Sequence, residues 1–392
     1  MSVTDRWLLP DGIEDLLPLE ANRLEHMRRK LFALYDSWGY ELVIPPLIEY
    51  LESLLVGAGN DLDRSTFKLI DRSTGRLMGV RADITPQVAR IDAHRVQKAG
   101  PGRYCYWGPV LLTQPRELGG SRSPIQAGAE LYGHGGVESD LEILRLMLQS
   151  LKVAGIEDSY LDLGHVGVFR GLVRQGGIDA ELEAGLFDAL QRKARPEMQQ
   201  LLAQVKDAAM AAMLDSLIDL NGGSEILAEA RVALRQAGEE VQQALATLEA
   251  IGAVLHEEGV RLHIDLAELR GYGYHSGVVF AAYSQGHGLA VAQGGRYDGI
   301  GAAFGRARPA TGYSMDLRTL ILLKQGRPKK RKGIFVPANV AARLGDVVAE
   351  LRAQGERVIC ELPGQTGGAA ECGCDRRLVD DENGWRVESI ET

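Results

Sequence analysis

Apolar residues recur at helical spacing near the start of the chain and again in three later stretches. The first stripe, which ends before Gly39 and predicts an amphipathic helix, consists of Leu24, Met27, Leu31 and Leu34. The later stretches with a helical pattern cover 85–96, 139–153 and 342–354. Because such a stripe is the side of a helix that packs on a core, we expect these helices to flank a sheet.

Short apolar runs separated by turn residues lie between the helices and are typical of strands joined in hairpins. The predicted strands cover 41–44, 66–70, 76–81, 104–112, 125–133, 160–164, 262–265, 274–283 and 288–292, and 309–324 predicts a strand that turns into a helix. Since hairpins with intervening helices dominate the pattern, we expect a largely antiparallel sheet and an α+β fold.

Three changes in composition divide the chain into parts. Residues 168–258 are rich in Ala, Leu, Glu and Gln with helical periodicity, which predicts a helical insertion. Residues 326–332 are basic and contain a proline, which is typical of a linker. A β-α-β-β pattern follows over 333–392. The predicted organisation is therefore a core over 1–325 that contains the insertion, a basic linker, and a small C-terminal α/β domain.

The overall composition is globular, with 392 residues, 45% apolar and 25% charged, and a formal net charge of −9. This acidity argues against non-specific binding to nucleic acid or to an anionic membrane surface. No apolar run approaches ~20 residues and the N-terminus shows no secretory signal. We therefore expect a soluble, cytoplasmic protein that does not bind a membrane.

Neither a metal site nor a cofactor is predicted. The four cysteines make no disulfide framework, and the histidines show no metal-ligand spacing. Cys360, Cys372 and Cys374 hint at a metal or redox site, but they lack a fourth ligand at a standard spacing, so free thiols are the favoured interpretation.

Two pairs of polar residues have the chemistry of an amino-acid site. Asp83 and Thr85 offer a carboxylate and a hydroxyl to an ammonium group, although the start of a helix at Thr85 makes an N-cap the alternative. Gln126 and Glu130 lie four apart on one predicted strand face, where an amide and a carboxylate suit the two nitrogens of an imidazole. The alternative for this second pair is the exposed polar face of a sheet.

Two glycine-rich segments complete the candidate chemistry. Arg270 stands among glycines just before a strand, where its guanidinium suits a carboxylate or phosphate, and a surface arginine in a turn is the alternative. His275 by itself is more often structural than catalytic. The string Gly294–Gly299 predicts a glycine-rich loop at a strand edge near a pocket, and it fits no standard nucleotide-binding pattern.

Taken in order, these groups resemble the catalytic core of class II histidyl-tRNA synthetases over about 9–324. Gly39–Pro46 is similar to motif 1, the dimer-interface element, and Gly108–Gly133 is similar to motif 2. Arg270–Phe280 resembles the histidine-specific segment, and Gly294–Leu320 resembles the glycine-rich string that runs into motif 3. The resemblance implies an antiparallel class II sheet flanked by helices.

Two departures from the synthetase pattern bear on activity. Leu112 stands where motif 2 carries the arginine directed at the ATP α-phosphate, and Thr319 stands where motif 3 ends in an arginine. Loss of one preorganised donor costs roughly 10²–10³ in rate, so we expect no aminoacylation and no catalytic residue. The segment 333–392 is also short and acidic, with six Arg, no Lys and eleven Asp and Glu, so no tRNA partner is expected.

The amino-acid pocket is better retained than the ATP site. The residues that the resemblance implies for histidine binding are Asp83, Thr85, Gln126, Glu130, Arg270, Tyr274, His275 and Tyr297. Among them, Asp83 replaces the usual Glu and His275 replaces the second tyrosine of its pair, while Gly273 replaces the segment's Asp.

A synthetase-like core without the ATP arginines is similar to the regulatory subunits of ATP phosphoribosyltransferase. This resemblance implies a non-catalytic partner of the short-form catalytic subunit in a hetero-octamer, which activates the first step of histidine biosynthesis. It also implies a part in feedback inhibition by histidine, with self-association as a dimer through the motif 1 region. The alternatives are an active histidyl-tRNA synthetase and a synthetase-like histidine-binding protein with another partner.

Overall fold

The computed structural model describes residues 7–56, 60–115, 120–324, 332–381 and 384–390. The chain divides into two compact units, Met1–Lys324 and Gln325–Thr392. The predicted basic linker lies outside the described residues except for Lys332, as do residues 116–119 of the predicted loop between strands 104–112 and 125–133.

Twelve strands form two sheets in the described part of the first unit. They are β1 (Glu41–Leu42), β2 (Ile48–Tyr50), β3 (Phe67–Ile70), β4 (Leu77–Val80), β5 (Gly102–Pro109), β6 (Ile125–Tyr132), β7 (Ser159–His165), β8 (Asn221–Gly222), β9 (Leu262–Asp265), β10 (Val278–Ser284), β11 (Ala290–Arg296) and β12 (Ala310–Asp316). Nine of them form one sheet in the order β1-β5-β6-β12-β11-β10-β7-β9-β8, and β2-β4-β3 form a smaller one. Among the described strands of the nine-stranded sheet only β1 with β5 and β7 with β9 pair in parallel, so the prediction of a largely antiparallel sheet is confirmed for this unit.

The helices of this unit include some that pack on the large sheet, one that packs on the small sheet and those that make up the insertion. They are α1 (Pro18–Ser37), α2 (Leu51–Leu55), α3 (Asn60–Ser65), α4 (Thr85–Ile91), α5 (Val137–Ala154), α6 (Val166–Gln175), α7 (Ala180–Gln191), α8 (Arg195–Leu202), α9 (Ala208–Ser216), α10 (Ile226–Ala233), α11 (Glu239–Glu257), α12 (Ile300–Ala303) and α13 (Leu317–Leu323). A π-helical turn, Asp92–Val96, continues α4. Helices α1 and α5 pack on the large sheet and α2 packs on the small one, while α6 to α11 cover most of the predicted insertion.

The predicted stripe of α1 is largely confirmed. Leu24, Met27 and Leu31 are buried, but the fourth buried position is Tyr35, and Leu34 is only half-buried. The Tyr35 hydroxyl accepts a hydrogen bond from Tyr313 of β12, 3.1 Å away, so α1 is tied to the centre of the sheet.

Glycines at the centre of the large sheet correct one prediction. Gly294 and Gly295 lie within β11, paired on one side with β10 and on the other with β12, rather than in a loop at a strand edge. Gly295 lies opposite Gly312, which in turn lies opposite Glu130 of β6. Because glycine brings no side chain, the side chains of Glu130 and His275 can lie close against the strands along this glycine row.

A second correction concerns the predicted strand 274–283, which begins only at Val278. The residues before it form consecutive turns, in which the amides of Tyr274 and His275 both donate to the carbonyl of Gly271. Gly271 has a φ of +63°, a left-handed conformation that favours glycine and interrupts an extended chain.

The second unit is a four-stranded sheet with two short helices. Its elements are β13 (Ile334–Val336), α14 (Ala338–Ala341), α15 (Gly345–Ala353), β14 (Val358–Cys360), β15 (Arg376–Asp381) and β16 (Gly384–Ser389), in the sheet order β14-β13-β15-β16. The predicted helix 342–354 corresponds to α15, which starts three residues later than predicted, at Gly345, and a separate short helix, α14, precedes it.

Three further observations concern the described residues as a whole. No helix within these ranges combines the length and apolarity needed to cross a lipid bilayer. No group of three or more His, Cys, Asp or Glu side chains there is arranged to hold a metal ion. The cysteines, Cys105, Cys360, Cys372 and Cys374, are all free.

Candidate functional site

A cavity of about 560 Å³ lies over the glycine row of the large sheet. Seven of the eight residues predicted from the sequence line it, namely Asp83, Thr85, Glu130, Arg270, Tyr274, His275 and Tyr297. They come from the start of α4, from β6, from the turns before β10 and from the chain after β11. The fold therefore brings together groups that lie more than 200 residues apart in the chain.

Glu130 is the buried carboxylate at the floor of this cavity, and its side chain is 1% exposed. Three hydroxyl groups donate to its oxygens, from Tyr106 at 3.0 Å, Thr85 at 3.1 Å and Tyr297. Burial raises the pKa of Glu130 to about 8, and these hydroxyl donors only partly offset that rise. No Lys, Arg or His side chain in the described ranges forms an ion pair with it, so below about pH 8 the carboxyl keeps its own proton, and a hydrogen-bonding or cationic ligand would complete the site.

The approach of Glu130 to the sheet depends on Gly312. A Cβ atom at position 312 would overlap Glu130 Oε2 and would crowd the carbonyl of Ala129. A glycine in the middle of β12 is thus required for the carboxylate to lie flat over the strand.

The segment Asp83–Thr85 lies at the start of α4, whose N-cap position is Ile84 and carries no side-chain cap hydrogen bond. Asp83 Oδ1 accepts a hydrogen bond from the backbone amide of Thr85 at 3.0 Å, which resembles a cap at the start of α4. The Thr85 hydroxyl instead points into the cavity and donates to Glu130. The two side chains therefore serve the helix and the cavity at once.

Gln126 is the predicted residue that the structure places apart from the others. It is buried and lines a neighbouring cavity of about 390 Å³. Its amide oxygen accepts from Ile84 N at 2.9 Å and its amide nitrogen donates to Asp83 Oδ1 at 2.9 Å. Gln126 thus orients the segment that holds Asp83 rather than facing the cavity floor.

Residues 268–277, the ligand loop, carry three of the predicted side chains. Arg270 donates to the Tyr283 hydroxyl at 2.8 Å and lies 3.4 Å from Glu268, while its Nη1 is buried without a hydrogen-bond partner among the described residues. The Tyr274 hydroxyl is also buried and unpartnered there. Each of these two polar groups is therefore available to a ligand in the cavity.

His275 lies near the end of the ligand loop, and its imidazole ring is neutral. Burial, together with a smaller effect of the charge of Arg170, lowers the pKa of His275 to about 4. Its Nδ1 lies 3.3 Å from the carbonyl oxygen of Arg296, which can only accept, so Nδ1 carries the proton and Nε2 is an acceptor.

The two positions that depart from the synthetase pattern lie in different surroundings. Leu112 is buried and forms an apolar part of the cavity wall, and its backbone exchanges hydrogen bonds with Arg122. Thr319 donates its hydroxyl to Asp316 at 2.8 Å in the first turn of α13 and lines neither cavity.

Sequence reasoning missed several residues of the site. Tyr106 lies on the side of β5 that faces the cavity. The alternation of side chains along the predicted strand already indicated this side. Gly312 could have been suspected because a glycine inside a strand often marks a close approach. Arg170, Phe187 and Tyr272 gave no local signal, because their contacts join segments 85 to 105 residues apart.

Two family models match the chain and together span most of it. Residues 12–320 match the model described as histidyl-tRNA synthetase. Residues 331–388 match the model described as the C-terminal domain of the ATP phosphoribosyltransferase subunit HisZ.

Relatives match along the whole length. A protein of Thioalkalivibrio sulfidiphilus named ATP phosphoribosyltransferase regulatory subunit is 56% identical over 402 residues, covering 100% of both chains. A protein of the same name from Nitrosococcus oceani is 54% identical, covering 100% of this chain and 98% of its own.

A solved structure shows the same fold. It is described as an ATP phosphoribosyltransferase regulatory subunit/histidyl-tRNA synthetase from Bacillus halodurans, with 27% identity, a TM-score of 0.84, and coverage of 95% of this chain and 97% of its own. The predicted synthetase-like α+β fold is thereby confirmed. Together with both family matches, identity at this level over the full length shows that the chain belongs to the family of ATP phosphoribosyltransferase regulatory subunits.

Proposed function

We propose that the chain is a non-catalytic regulatory subunit that activates a short-form ATP phosphoribosyltransferase catalytic subunit and takes part in its feedback inhibition by histidine. The names of the relatives support the regulatory role. The single observation that carries the proposal is the cavity itself. Its floor carries Glu130, which suits an amino-acid ligand, and its wall at Leu112 is apolar.

The ligand that this cavity fits is histidine. An imidazole nitrogen can meet the buried Glu130 carboxyl, which lacks a cationic partner among the described residues. The half-buried Asp83 carboxylate suits the α-ammonium group, and the free Nη1 of Arg270 suits the α-carboxylate. Each charged group of the amino acid thus has a complement of opposite charge.

The same cavity is poorly suited to adenylate formation. That reaction needs cationic donors around the α-phosphate, where negative charge must be stabilised. Leu112 offers only methyl groups to this region, and the hydroxyl of Thr319 is engaged by Asp316. We therefore expect neither aminoacylation nor a tRNA partner.

Association of two copies through the motif 1 region is part of the proposal. Two apolar side chains are exposed in this segment, Leu42 and Ile44, and two more, Leu47 and Ile48, follow it directly, with exposed fractions between 39% and 72%. Clustered exposed apolar residues of this kind mark interaction surfaces. Assembly of such dimers with the catalytic chain into a hetero-octamer, in the cytoplasm, stays a prediction.

The test is phosphoribosyl-ATP formation by a purified short-form catalytic subunit, with and without this chain, and then with added histidine. We expect activity only with both chains, and we expect it to fall as histidine is added. No effect of this chain on the catalytic subunit would overturn the regulatory proposal.

A second assay addresses the alternative of an active synthetase. The purified chain should show no histidine-dependent exchange between ATP and pyrophosphate. Robust exchange would overturn the non-catalytic part of the proposal, whereas histidine binding without exchange or activation would indicate a histidine-binding protein with another partner.

A further inference from the structure

The ligand loop is held from outside by the helical insertion. Arg170 of α6 donates through Nη2 to two carbonyl oxygens of the loop, that of Tyr272 at 2.8 Å and that of His275 at 3.1 Å. The same guanidinium lies over the Tyr272 ring, with its carbon 4.8 Å from the ring centroid. One side chain of the insertion therefore spans the part of the loop between Arg270 and His275.

Helix α7 of the insertion makes a second set of contacts with the same segment. The Tyr272 hydroxyl donates to Glu183 at 2.8 Å, and the Tyr272 ring packs on Phe187 with 5.3 Å between centroids. Phe187 itself lines the cavity. Tyr272 thus lies between Arg170 on one helix and α7 on the next.

The backbone of the loop is held by local turn hydrogen bonds rather than by strand pairing, so the contacts from the insertion add to its positioning. Gly271, Gly273 and Gly277 give it wide conformational freedom, and regular strand pairing starts only at Val278. The apparent affinity of a site on such a loop equals its intrinsic affinity multiplied by the fraction of time that the loop holds its binding conformation. The contacts from Arg170 raise that fraction without touching the ligand.

We propose that Arg170 is a positioning residue for the ligand loop, and that Tyr272 links this loop to α7, so that an occupied cavity and a docked insertion stabilise each other. By linkage, a ligand that favours the closed loop also favours the contact with α7. The proposal rests on histidine being the ligand, as proposed above.

The first test measures histidine affinity by calorimetry in the full chain carrying Arg170→Met. Since two hydrogen bonds from a charged group are lost, we expect the dissociation constant to rise by about 10-fold or more. Arg170→Lys keeps a charged donor but not the planar contact with the Tyr272 ring. Its dissociation constant for histidine should lie between those of the unaltered chain and Arg170→Met. The matched control is Arg174→Met on the same helix, because Arg174 is exposed and pairs only with Glu240 of the insertion in the described structure.

The second test follows amide hydrogen exchange in α7 with and without histidine, a readout that a merely structural role of Arg170 would not move. Histidine should slow exchange over Ala180–Gln191 in the unaltered chain and in the Arg174→Met control, but not in Arg170→Met. Tyr272→Phe, which removes only the hydroxyl bond to Glu183, should keep most of the affinity while reducing the protection of α7. This milder variant keeps the test decisive if Arg170→Met does not fold.

The outcomes separate the two proposals. If Arg170→Met is folded, binds histidine with unchanged affinity and still protects α7, the coupling is wrong while histidine remains the ligand. If the unaltered chain binds no histidine, the proposed ligand is wrong and the coupling falls with it.

Discussion

The carboxylate of Glu130 on β6 lies directly against the backbone of Gly312, its register partner on β12. A side chain at position 312 would occupy the place of Glu130 Oε2, so the two residues define the cavity floor together. The floor therefore depends on strand register as much as on either residue.

Gly312→Ala should disturb this floor. The added methyl group must displace Glu130 or separate the strands, and we expect a loss of about 1–3 kcal/mol in the free energy of unfolding, with weaker histidine binding. Denaturant unfolding and calorimetry measure the two effects. Gly100→Ala is the control, because a Cβ there meets nothing within 4 Å. Equal stability and affinity in the two variants would contradict the packing.

Glu130→Gln should change the pH dependence of stability. The raised pKa means that the folded state keeps the proton of Glu130 between about 4.5 and about 8, where the unfolded state has lost it. The stabilisation of the folded wild type by the raised pKa of Glu130 is thus fully present below pH 4.5. It declines as the pH rises and is lost once the pH has passed 8. The stability advantage of the wild type over Glu130→Gln should shrink between pH 5 and pH 9 in urea unfolding. Glu157→Gln, at an exposed position, should show no such trend.

Arg270→Ala should weaken histidine binding without unfolding the chain. Loss of a charged donor to a carboxylate costs about 1.5–3 kcal/mol, which corresponds to roughly a 10- to 100-fold rise in the dissociation constant. Calorimetry measures this rise, and circular dichroism checks the fold. Arg261→Ala, which removes an exposed arginine near Asp158, should bind normally. Unchanged affinity in a folded Arg270→Ala variant would remove this residue from the site.

Asp140→Ala should destabilise the first unit. Asp140 is 2% exposed and pairs at 2.9 Å with Arg296, whose guanidinium also donates to the carbonyls of His134 and Gly136. Removal of Asp140 leaves the buried Arg296 with Asp298, 3.3 Å away, as its remaining carboxylate partner, and we expect a cost below the roughly 3–5 kcal/mol of a fully unpaired buried charge. Thermal unfolding should show a clearly lower midpoint than for Asp158→Ala, which breaks an exposed pair. Equal midpoints would show that Arg296 finds other compensation.

Ile44→Glu should disrupt the proposed dimer. Ile44 is 72% exposed within the motif 1 region, and a carboxylate in an apolar interface must lose its water on association. Sedimentation velocity should show a shift toward monomer. Val232→Glu on α10, at a site that is 68% exposed, is the control and should leave the distribution unchanged. A dimer that tolerates Ile44→Glu would place the interface elsewhere.

Local patterns predicted most elements of the first unit. The stripe of α1 and the two strands that became β5 and β6 were predicted within a few residues, because their apolar periodicity is a property of the segment itself. The predictions for 274–283 and Gly294–Gly299 were each wrong in part, in opposite ways. In the first, the turns that follow the left-handed Gly271 delay the start of the strand to Val278. In the second, residues 294–296 pair with neighbouring strands although glycine has no strand preference of its own.

The amino-acid sequence by itself determined the order of helices and strands, the family resemblance and which residue types could serve an amino-acid ligand. Only the tertiary structure decided that Gln126 orients Asp83 rather than facing the floor, and that Arg170 supports a loop a hundred residues away. It also decided the pKa of Glu130, since burial and three hydroxyl groups from separate segments set it. The physical reason is that desolvation and hydrogen bonding depend on groups that meet only when strand register and helix docking are complete.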